Sequence, residues 1–359
     1  MLANDLRKDY ILDRWVVIAS QRRRRPTDYA KGQSEERKPS ICPFCPGNEH
    51  LTPPASLIYI VENGKIGKTR DNDGARRKDW IIRCIPNLYP AFSPPTAAME
   101  NQKDNSSLHF SHKHVHYVRM EAHGHHEVLI ESPDHDEHPS VARLPQLIQV
   151  INALKDRATY FMQKEYVRYI SIFRNHGASA GASLSHTHLQ IIATPIIPKI
   201  VGEELDASRK FYAETGRCVF CEIINRESAS ERLIWTNGDF TVFTPWASIN
   251  PFEFWMFPKR HQTTILELTD DEVKGLAEAI RVSLGGLKRL LNDPPYNLGF
   301  HMIPDEKYHW HIEVYPKLAI WAGFEKSTGM YINTVSPEEA AESLRETFKI
   351  EEENLKSIQ

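Results

Sequence analysis

The sequence has no long apolar run. No window reaches the roughly 18 apolar residues that a membrane-spanning helix needs, and the first ten residues, MLANDLRKDY, lack the apolar segment of a secretory signal. The net charge of −3 gives no overall attraction to nucleic acid or anionic lipid. We therefore expect a soluble, cytoplasmic protein with neither a membrane nor a nucleic acid as partner.

Cysteine is scarce, with five in 359 residues, and four of the five form two Cys-x-x-Cys pairs. In a reducing cytosol such pairs bind metal or exchange disulfides more often than they act as structural bridges. The fifth, Cys84, lies in an apolar strand-like run and is expected to be a small buried side chain. No linker rich in Gly or Ser divides the chain, so separate parts of it are expected to pack together.

The chain does contain an internal repeat. His186-Thr-His188-Leu-Gln190-Ile and His309-Trp-His311-Ile-Glu313-Val share one pattern, and each follows a Cys-x-x-Cys pair. A further histidine precedes each segment at a similar distance, His135 by 51 residues and His261 by 48. We therefore predict a duplicated chain with two half-domains, residues 1–198 and 199–359.

Helical and strand patterns alternate in both halves. Apolar residues at helical spacing predict a helix from about Leu144 to Glu165, and a capping box at Thr269 begins a second one that reaches about Asn292. Strands are predicted at His186–Thr194 and from His309 to Pro316. The predicted fold class is α+β, with each half an antiparallel sheet on which helices pack.

Each half carries a Cys2His2 set that suits zinc, which prefers four sulfur or nitrogen ligands in a tetrahedron. The alternatives are redox dithiols or free core cysteines. The two predicted sets are Cys42, Cys45, His135 and His186, and Cys218, Cys221, His261 and His309. Both ions would be structural, because side chains occupy all four positions and leave none for water.

The first His-x-His segment can also carry chemistry. Side chains at i and i+2 of a strand share a face, so His186, His188 and Gln190 would lie on one side. If zinc holds His186, then His188 is free, and a neutral imidazole can attack phosphorus. Gln190 and the backbone N–H groups of the small-residue loop Gly177–Ser183 can donate to phosphate oxygens. Spacing alone leaves it equally open that His188 is a second ligand or a hydrogen-bonded core residue.

These segments, together with three others, resemble the galactose-1-phosphate uridylyltransferase family. That family is a branch of the histidine-triad superfamily in which each subunit is a tandem of two related half-domains. The likeness covers nearly the whole chain, from Trp15 to the helix that begins near Ser336. The three further segments are Cys42-Pro-Phe-Cys45-Pro-Gly-Asn48, Ser132-Pro-Asp-His135 and Pro258-Lys-Arg-His261.

The resemblance implies a role for each site residue. His188 would be the nucleophile that carries a uridylyl group between UDP-glucose and galactose 1-phosphate, Gln190 would bind the transferred phosphoryl group, and Ser183 would bind the sugar phosphate. The residues that match the family's other nucleotide contacts are Arg22, Arg25, Asn87 and Asn175. The partners implied are UDP-hexose, hexose 1-phosphate and a second copy of the chain in a homodimer.

The chain also departs from the family pattern. The usual His-Pro-His is His-Thr-His here, and in some members the second metal, which can be iron, is held by a glutamate and histidines without cysteine. Glu204 falls at that glutamate's position and His311 is a further candidate, although Cys218 and Cys221 favour His309 as the ligand. In the second half Glu313 replaces Gln190, so that half is expected to have lost chemistry.

Two other functions stay open at this point. Gly181-Ala-Ser-Leu-Ser185 and Asn292-Asp-Pro-Pro-Tyr296 resemble an adenylyl-transferring branch, the ADP-glucose or dinucleotide phosphorylases. The other possibility is a non-catalytic, zinc-stapled protein that binds nucleotides. An unligated His188 argues against it, because binding alone does not require a nucleophile.

Overall fold

The computed structural model describes residues 5–18, 41–72, 74–95 and 122–358. Arg22 and Arg25 lie outside these ranges. The strands are β1 Asp5–Lys8, β2 Trp15–Ile18, β3 Leu57–Glu62, β4 Lys65–Thr69, β5 Trp80–Pro86, β6 His125–Ile130, β7 Tyr169–His176, β8 His188–Thr194, β9 Leu233–Thr236, β10 Phe240–Phe243, β11 Phe254–Pro258, β12 Tyr296–His301, β13 His311–Pro316 and β14 Tyr331–Asn333. The helices are α1 Leu144–Met162, α2 Lys199–Thr215, α3 Val219–Glu227, α4 Asp270–Leu291, α5 Gly323–Thr328 and α6 Pro337–Ile358.

Within these described ranges, eleven strands form one sheet in the order β4-β3-β5-β6-β8-β7-β12-β13-β11-β10-β9. Every neighbouring pair in it is antiparallel. A smaller sheet joins β1, β2 and β14. The α+β class is confirmed, and the two predicted sheets prove to be continuous through the β7–β12 pair.

The internal repeat is visible in the strand order. Outward from the β7–β12 pair, the series β8-β6-β5-β3 on one side corresponds to β13-β11-β10-β9 on the other. Helix α1 connects β6 to β7, and α4 connects β11 to β12 in the same way. The duplicated His-x-His segments therefore lead into equivalent strands, β8 and β13.

The two faces of the sheet differ. One face is covered by α1, α4 and α6, and the apolar core between them includes Leu154, Ile191, Leu284 and Phe348, each at most 1% exposed. The opposite face carries Gln190 and is called the site face below. The elements that cover it differ between the two halves. In the second half α2 and α3 pack on it around Phe220.

Local sequence explains several element boundaries. Asn63 and Gly64 have positive φ of 50° and 73°, which suits the two-residue hairpin between β3 and β4. Thr269 caps α4 through the predicted capping box with Glu272. Cys84 is fully buried in β5, as predicted, and its Sγ donates a hydrogen bond to Glu127.

The predicted bounds need correction at several places. Helix α1 ends at Met162, before the expected Glu165, and the two His-x-His strands begin at His188 and His311, two residues later than predicted. Helices α2 and α3 were not predicted. No helix in the part of the chain described is both long and apolar enough to traverse a bilayer.

Candidate active site and metal centres

The first predicted Cys2His2 set comes together just before β8 begins. Cys42 and Cys45 lie on a tight turn, and His135 and His186 face it, with one donor atom of each residue within 4.8 Å of the others. Cys45 Sγ is 3.3 Å from His135 Nδ1 and 3.5 Å from His186 Nδ1. Four such donors around one point match the tetrahedral preference of zinc.

Hydrogen bonds from the far side of each imidazole support this arrangement. His186 Nε2 lies 2.8 Å from the Ser132 carbonyl, which requires Nε2 to carry the proton and leaves the Nδ1 lone pair facing the thiols. His135 Nε2 contacts Ser185 Oγ at 2.9 Å. Such outer contacts orient metal-binding histidines. Burial raises the pKa of the Cys45 thiol to about 11, so a thiolate there needs a nearby cation.

The second set is equally compact. Cys218 is the N-cap residue of α3, and Cys221 lies in the first turn of that helix. Cys221 Sγ is 3.4 Å from His261 Nδ1 and 3.5 Å from His309 Nδ1. The four donor atoms again lie within 4.8 Å of one another. This geometry agrees with the prediction that His309, rather than His311, is the fourth residue of the second Cys2His2 set.

Glu204 and His311 belong to a separate buried cluster. With His301 and Glu313 they bring four donor atoms within 4.8 Å. His301 Nδ1 is 3.0 Å from a Glu204 oxygen, and although burial alone would lower the pKa of His301, this carboxylate raises it to about 9. No local sequence pattern indicated His301, which joins the cluster through the pairing of β12 with β13.

His188 is held in one tautomer. Its Nδ1 donates to the His186 carbonyl at 2.7 Å, so Nε2 carries the lone pair. Burial lowers the pKa of His188 below its ordinary value, which keeps the ring neutral at neutral pH. The Phe44 ring, from the Cys-x-x-Cys turn, meets the imidazole edge-on at a centroid distance of 5.5 Å. The Cys-x-x-Cys turn therefore contributes to the first metal set and also contacts the candidate nucleophile.

The other predicted site residues within the described ranges lie on β8 or on strands and loops close to it. Strand pairing places Gln190 opposite Val128 and opposite Phe173, and Asn175 follows Phe173 by two residues on the same face. Asn87 follows β5 directly, and its backbone N–H donates to the His126 carbonyl at 2.8 Å. Ser183 is exposed on the loop that leads to β8.

The loop Gly177–Ser183 differs from the expectation. The N–H groups of Ala180, Gly181 and Ala182 bond to carbonyls inside the loop, so they are not available to a phosphate in this conformation. Gly177 has a φ of +81°, and a Cβ there would come within 2.8 Å of Pro295. The loop thus packs closely against the second half, and the Ser183 side chain is a better-placed donor than those three amides.

A cavity of about 290 Å³ adjoins this loop and reaches both His186 and His188. Its polar lining includes Asn175 from β7 together with Lys288 and Asp293 from the end of α4 and the segment after it. A cavity lined by an imidazole with an unprotonated nitrogen provides room for an anionic group.

Comparison with known proteins gives a consistent result. The family model described as "Domain of unknown function (DUF4921)" matches residues 140–356. An ADP-glucose phosphorylase from Arabidopsis thaliana is 34% identical over 351 residues, 95% of this chain and 92% of the relative. A galactose-1-phosphate uridylyltransferase from Thermotoga maritima is 29% identical over 356 residues, 96% of this chain and 98% of the relative. The crystal structure of an ADP-glucose phosphorylase from A. thaliana with bound ADP-glucose aligns with a TM-score of 0.76 and 30% identity, covering 96% of this chain and 99% of that one.

The relatives named uridylyltransferase and phosphorylase, which match over nearly the whole chain, place this two-half fold in the nucleotidyltransferase class of enzymes. The chain belongs to the galactose-1-phosphate uridylyltransferase family, a group that includes relatives named ADP-glucose phosphorylase.

Proposed function

We propose that the protein exchanges a uridylyl group between UDP-glucose and galactose 1-phosphate by a ping-pong reaction. His188 Nε2 attacks the α-phosphorus of UDP-glucose; an N–P bond forms, the P–O bond to glucose 1-phosphate breaks, and glucose 1-phosphate leaves as an anion. A phosphate oxygen of galactose 1-phosphate then attacks the same phosphorus, which yields UDP-galactose and frees His188. The observation that carries the proposal is the 2.7 Å contact from His188 Nδ1 to the His186 carbonyl, which leaves Nε2 unprotonated.

The remaining residues bind and position the substrates. Gln190 donates to the transferred phosphoryl group and Ser183 to the sugar phosphate. The nucleotide contacts assigned by resemblance are Asn87, Asn175, Arg22 and Arg25. No separate general base is required, because the attacking and leaving phosphates are already anionic. The catalytic role falls to the half-domain of residues 1–198, whereas residues 199–359 support it.

The metals in this proposal are structural. The Cys42 set and the Cys218 set each hold one Zn²⁺, with iron as the alternative in the second half. The first ion fixes His186 and, through its carbonyl, aims His188. Since all four donors are side chains, neither ion has a position for substrate. The protein is proposed to act as a cytoplasmic homodimer.

The second candidate is adenylyl transfer from ADP-glucose. It is favoured by the 34% identity to an ADP-glucose phosphorylase, against 29% to the T. maritima uridylyltransferase. Both reactions use the same histidine, so the residues around His188 do not distinguish them. Base recognition depends on contacts further from the reacting phosphorus.

The test compares UDP-glucose with ADP-glucose as donor. Each is mixed with the purified protein without an acceptor, and the intact mass reports a uridylyl or adenylyl adduct. Galactose 1-phosphate or orthophosphate is then added to discharge it. An adduct from UDP-glucose that galactose 1-phosphate removes supports the first proposal, and one formed only from ADP-glucose supports the second. Absence of any adduct would favour a non-catalytic nucleotide-binding protein.

A further inference from the structure

His126 lies beside Gln190 on the site face. The register of β6 and β8 pairs Val128 with Gln190, so His126 is the diagonal neighbour of Gln190 across the two strands. His126 Nε2 is 2.8 Å from Gln190 Oε1. The side chain is only half-buried, so it is not part of the apolar core.

The proton on His126 can be assigned from its other nitrogen. The backbone N–H of Ala91 points at Nδ1 with a separation of 3.1 Å. A backbone amide can only donate, so Nδ1 must be the acceptor, and a neutral imidazole then carries its proton on Nε2. Burial lowers the pKa of His126, which agrees with a neutral ring. The Nε2–H therefore donates to Gln190 Oε1.

Asn87 is the one competing neighbour of that nitrogen among the described residues. Its Nδ2 is 3.1 Å from His126 Nε2, while its Oδ1 accepts from the Tyr89 N–H at 2.9 Å. An unprotonated Nε2 could accept from Asn87, but then Nδ1–H and the Ala91 N–H would face each other. The Ala91 amide thus decides the tautomer, and Gln190 Oε1 is the acceptor that remains.

The consequence concerns the orientation of the Gln190 amide. A glutamine amide can rotate to present either its oxygen or its NH2 group. With Oε1 occupied by His126, the NH2 group is turned away, and it makes no hydrogen bond to the described part of the chain. An anionic phosphoryl oxygen would meet two N–H donors, whereas the opposite orientation would present a carbonyl oxygen and repel it.

We propose that His126 is a positioning residue that fixes the Gln190 amide with its NH2 group toward the transferred phosphoryl group. This rests on the proposed function, in which Gln190 donates to that group. His126 does not touch substrate and acts only through Gln190. The hydrogen bonds from the Ala91 N–H to His126 and from His126 to Gln190 orient the Gln190 NH2 group before the substrate binds. The reaction then requires no further free energy to orient that donor.

The experiment measures single-turnover formation of the nucleotidyl adduct with each donor. His126→Phe keeps a ring of similar size but removes the donor, and we expect the labelling rate constant to fall about 10- to 100-fold, with less than about a threefold change in the donor concentration at half-maximal rate. The side chain in His126→Gln can still donate a hydrogen bond, so the labelling rate constant of this variant should be at least about fivefold higher than that of His126→Phe. The matched control is His125→Phe, the same change at the adjacent position, where the ring packs against Phe161 on the opposite face.

A double-mutant cycle separates positioning from a general structural role. In a Gln190→Ala background, His126→Phe should add less than about a twofold loss, because the group it positions is gone. Melting temperature and metal content verify that each variant is folded. A His126→Phe protein as fast as the wild type, a folded His126→Gln protein as slow as the Phe variant, or a full additional loss in the Gln190→Ala background would overturn the proposal. If neither donor labels the wild type, the proposed function itself fails, and the role of His126 fails with it.

Discussion

At the scale of single residues, equivalent positions in the two halves have different surroundings. His188 is 9% exposed and adjoins the cavity, whereas His311 is 0% exposed. The His311 ring stacks on Phe257 at 4.6 Å, and its Nε2 faces Glu313 at 3.2 Å. A substrate phosphate has no access there and would meet a carboxylate. The buried ring supports the expectation that only the first half retains chemistry.

The residue-scale prediction concerns His188. His188→Ala should lower exchange at least about 10³-fold and abolish the nucleotidyl adduct, because the variant lacks the imidazole that is proposed to bond to phosphorus. Metal content should stay unchanged, since His186 keeps its place in the first Cys2His2 set. Intact mass and elemental analysis measure the two quantities. An adduct that persists in the variant, or that peptide mapping locates on another residue, would contradict the mechanism.

At the scale of elements, the sequence predicted those features that depend on local chemistry. The capping box at Thr269 and the apolar stripe of α1 are each encoded within a few neighbouring residues. The Cys2His2 sets were also predictable, because each repeats in the same order along the chain. Their role as metal ligands is still a prediction.

The remaining features depend on contacts between distant segments. Helix α2 buries only four residues, Val201, Glu204, Leu205 and Ser208, and this weak apolar stripe gives little helical signal. His126 meets Gln190 through the pairing of β6 with β8, and His301 meets His311 through the pairing of β12 with β13 and Glu204 through the packing of α2. The alternation of side chains along β6 could have placed His126 on the face of Gln190, but only with the register known.

The two metal sets should respond differently to loss of a thiol. Cys42→Ser and Cys218→Ser are each expected to lower the metal content from about two ions per chain to about one and to reduce thermal stability. Only Cys42→Ser should also suppress adduct formation, because its set includes His186, whose carbonyl holds His188. Elemental analysis, melting curves and intact mass test the pair together. Normal metal content in Cys42→Ser, or equal loss of adduct in both variants, would contradict this assignment.

Strand β12 of the second half supports the loop of the first. Asn297 Nδ2 donates to both Asn175 Oδ1 and the Ala180 carbonyl at 2.8 Å. This contact holds the loop and engages the Asn175 amide through its oxygen. It is a second case in which a neighbour fixes a site amide through its oxygen.

We predict that Asn297→Ala raises the KM for the nucleotide sugar about 5- to 30-fold, which corresponds to the loss of about 1–2 kcal/mol from two hydrogen bonds. Steady-state kinetics with the better donor measures this change. The matched control is Asn237→Ala, which removes turn contacts to Asp239 and Phe240 between β9 and β10. It should lower the melting temperature without changing KM. An unchanged KM in the Asn297 variant would mean that the loop does not need this support.

At the scale of the whole molecule, the two halves share one sheet and one core. The apolar cluster contains Leu154 from α1, Leu284 from α4 and Phe348 from α6, together with strands from both sides of the β7–β12 pair. Lys155 on α1 also donates to the Leu268 carbonyl at 2.6 Å. Neither half can expose its share of this core at low cost, because burial of apolar surface is the main source of stability.

The halves should therefore unfold together in spite of the duplication. Five of the seven tryptophans lie in residues 199–359, so fluorescence reports mainly on the second half, whereas the ability of His188 to form an adduct reports on the first. With metals bound, we expect both signals to be lost at the same denaturant concentration, because the sheet is continuous across the boundary. The Cys218→Ser protein should shift both transitions to lower denaturant by the same amount. Loss of the adduct at a distinctly lower concentration than the fluorescence change would mean that the first half opens by itself, and that the shared core contributes less than the strand pairing indicates.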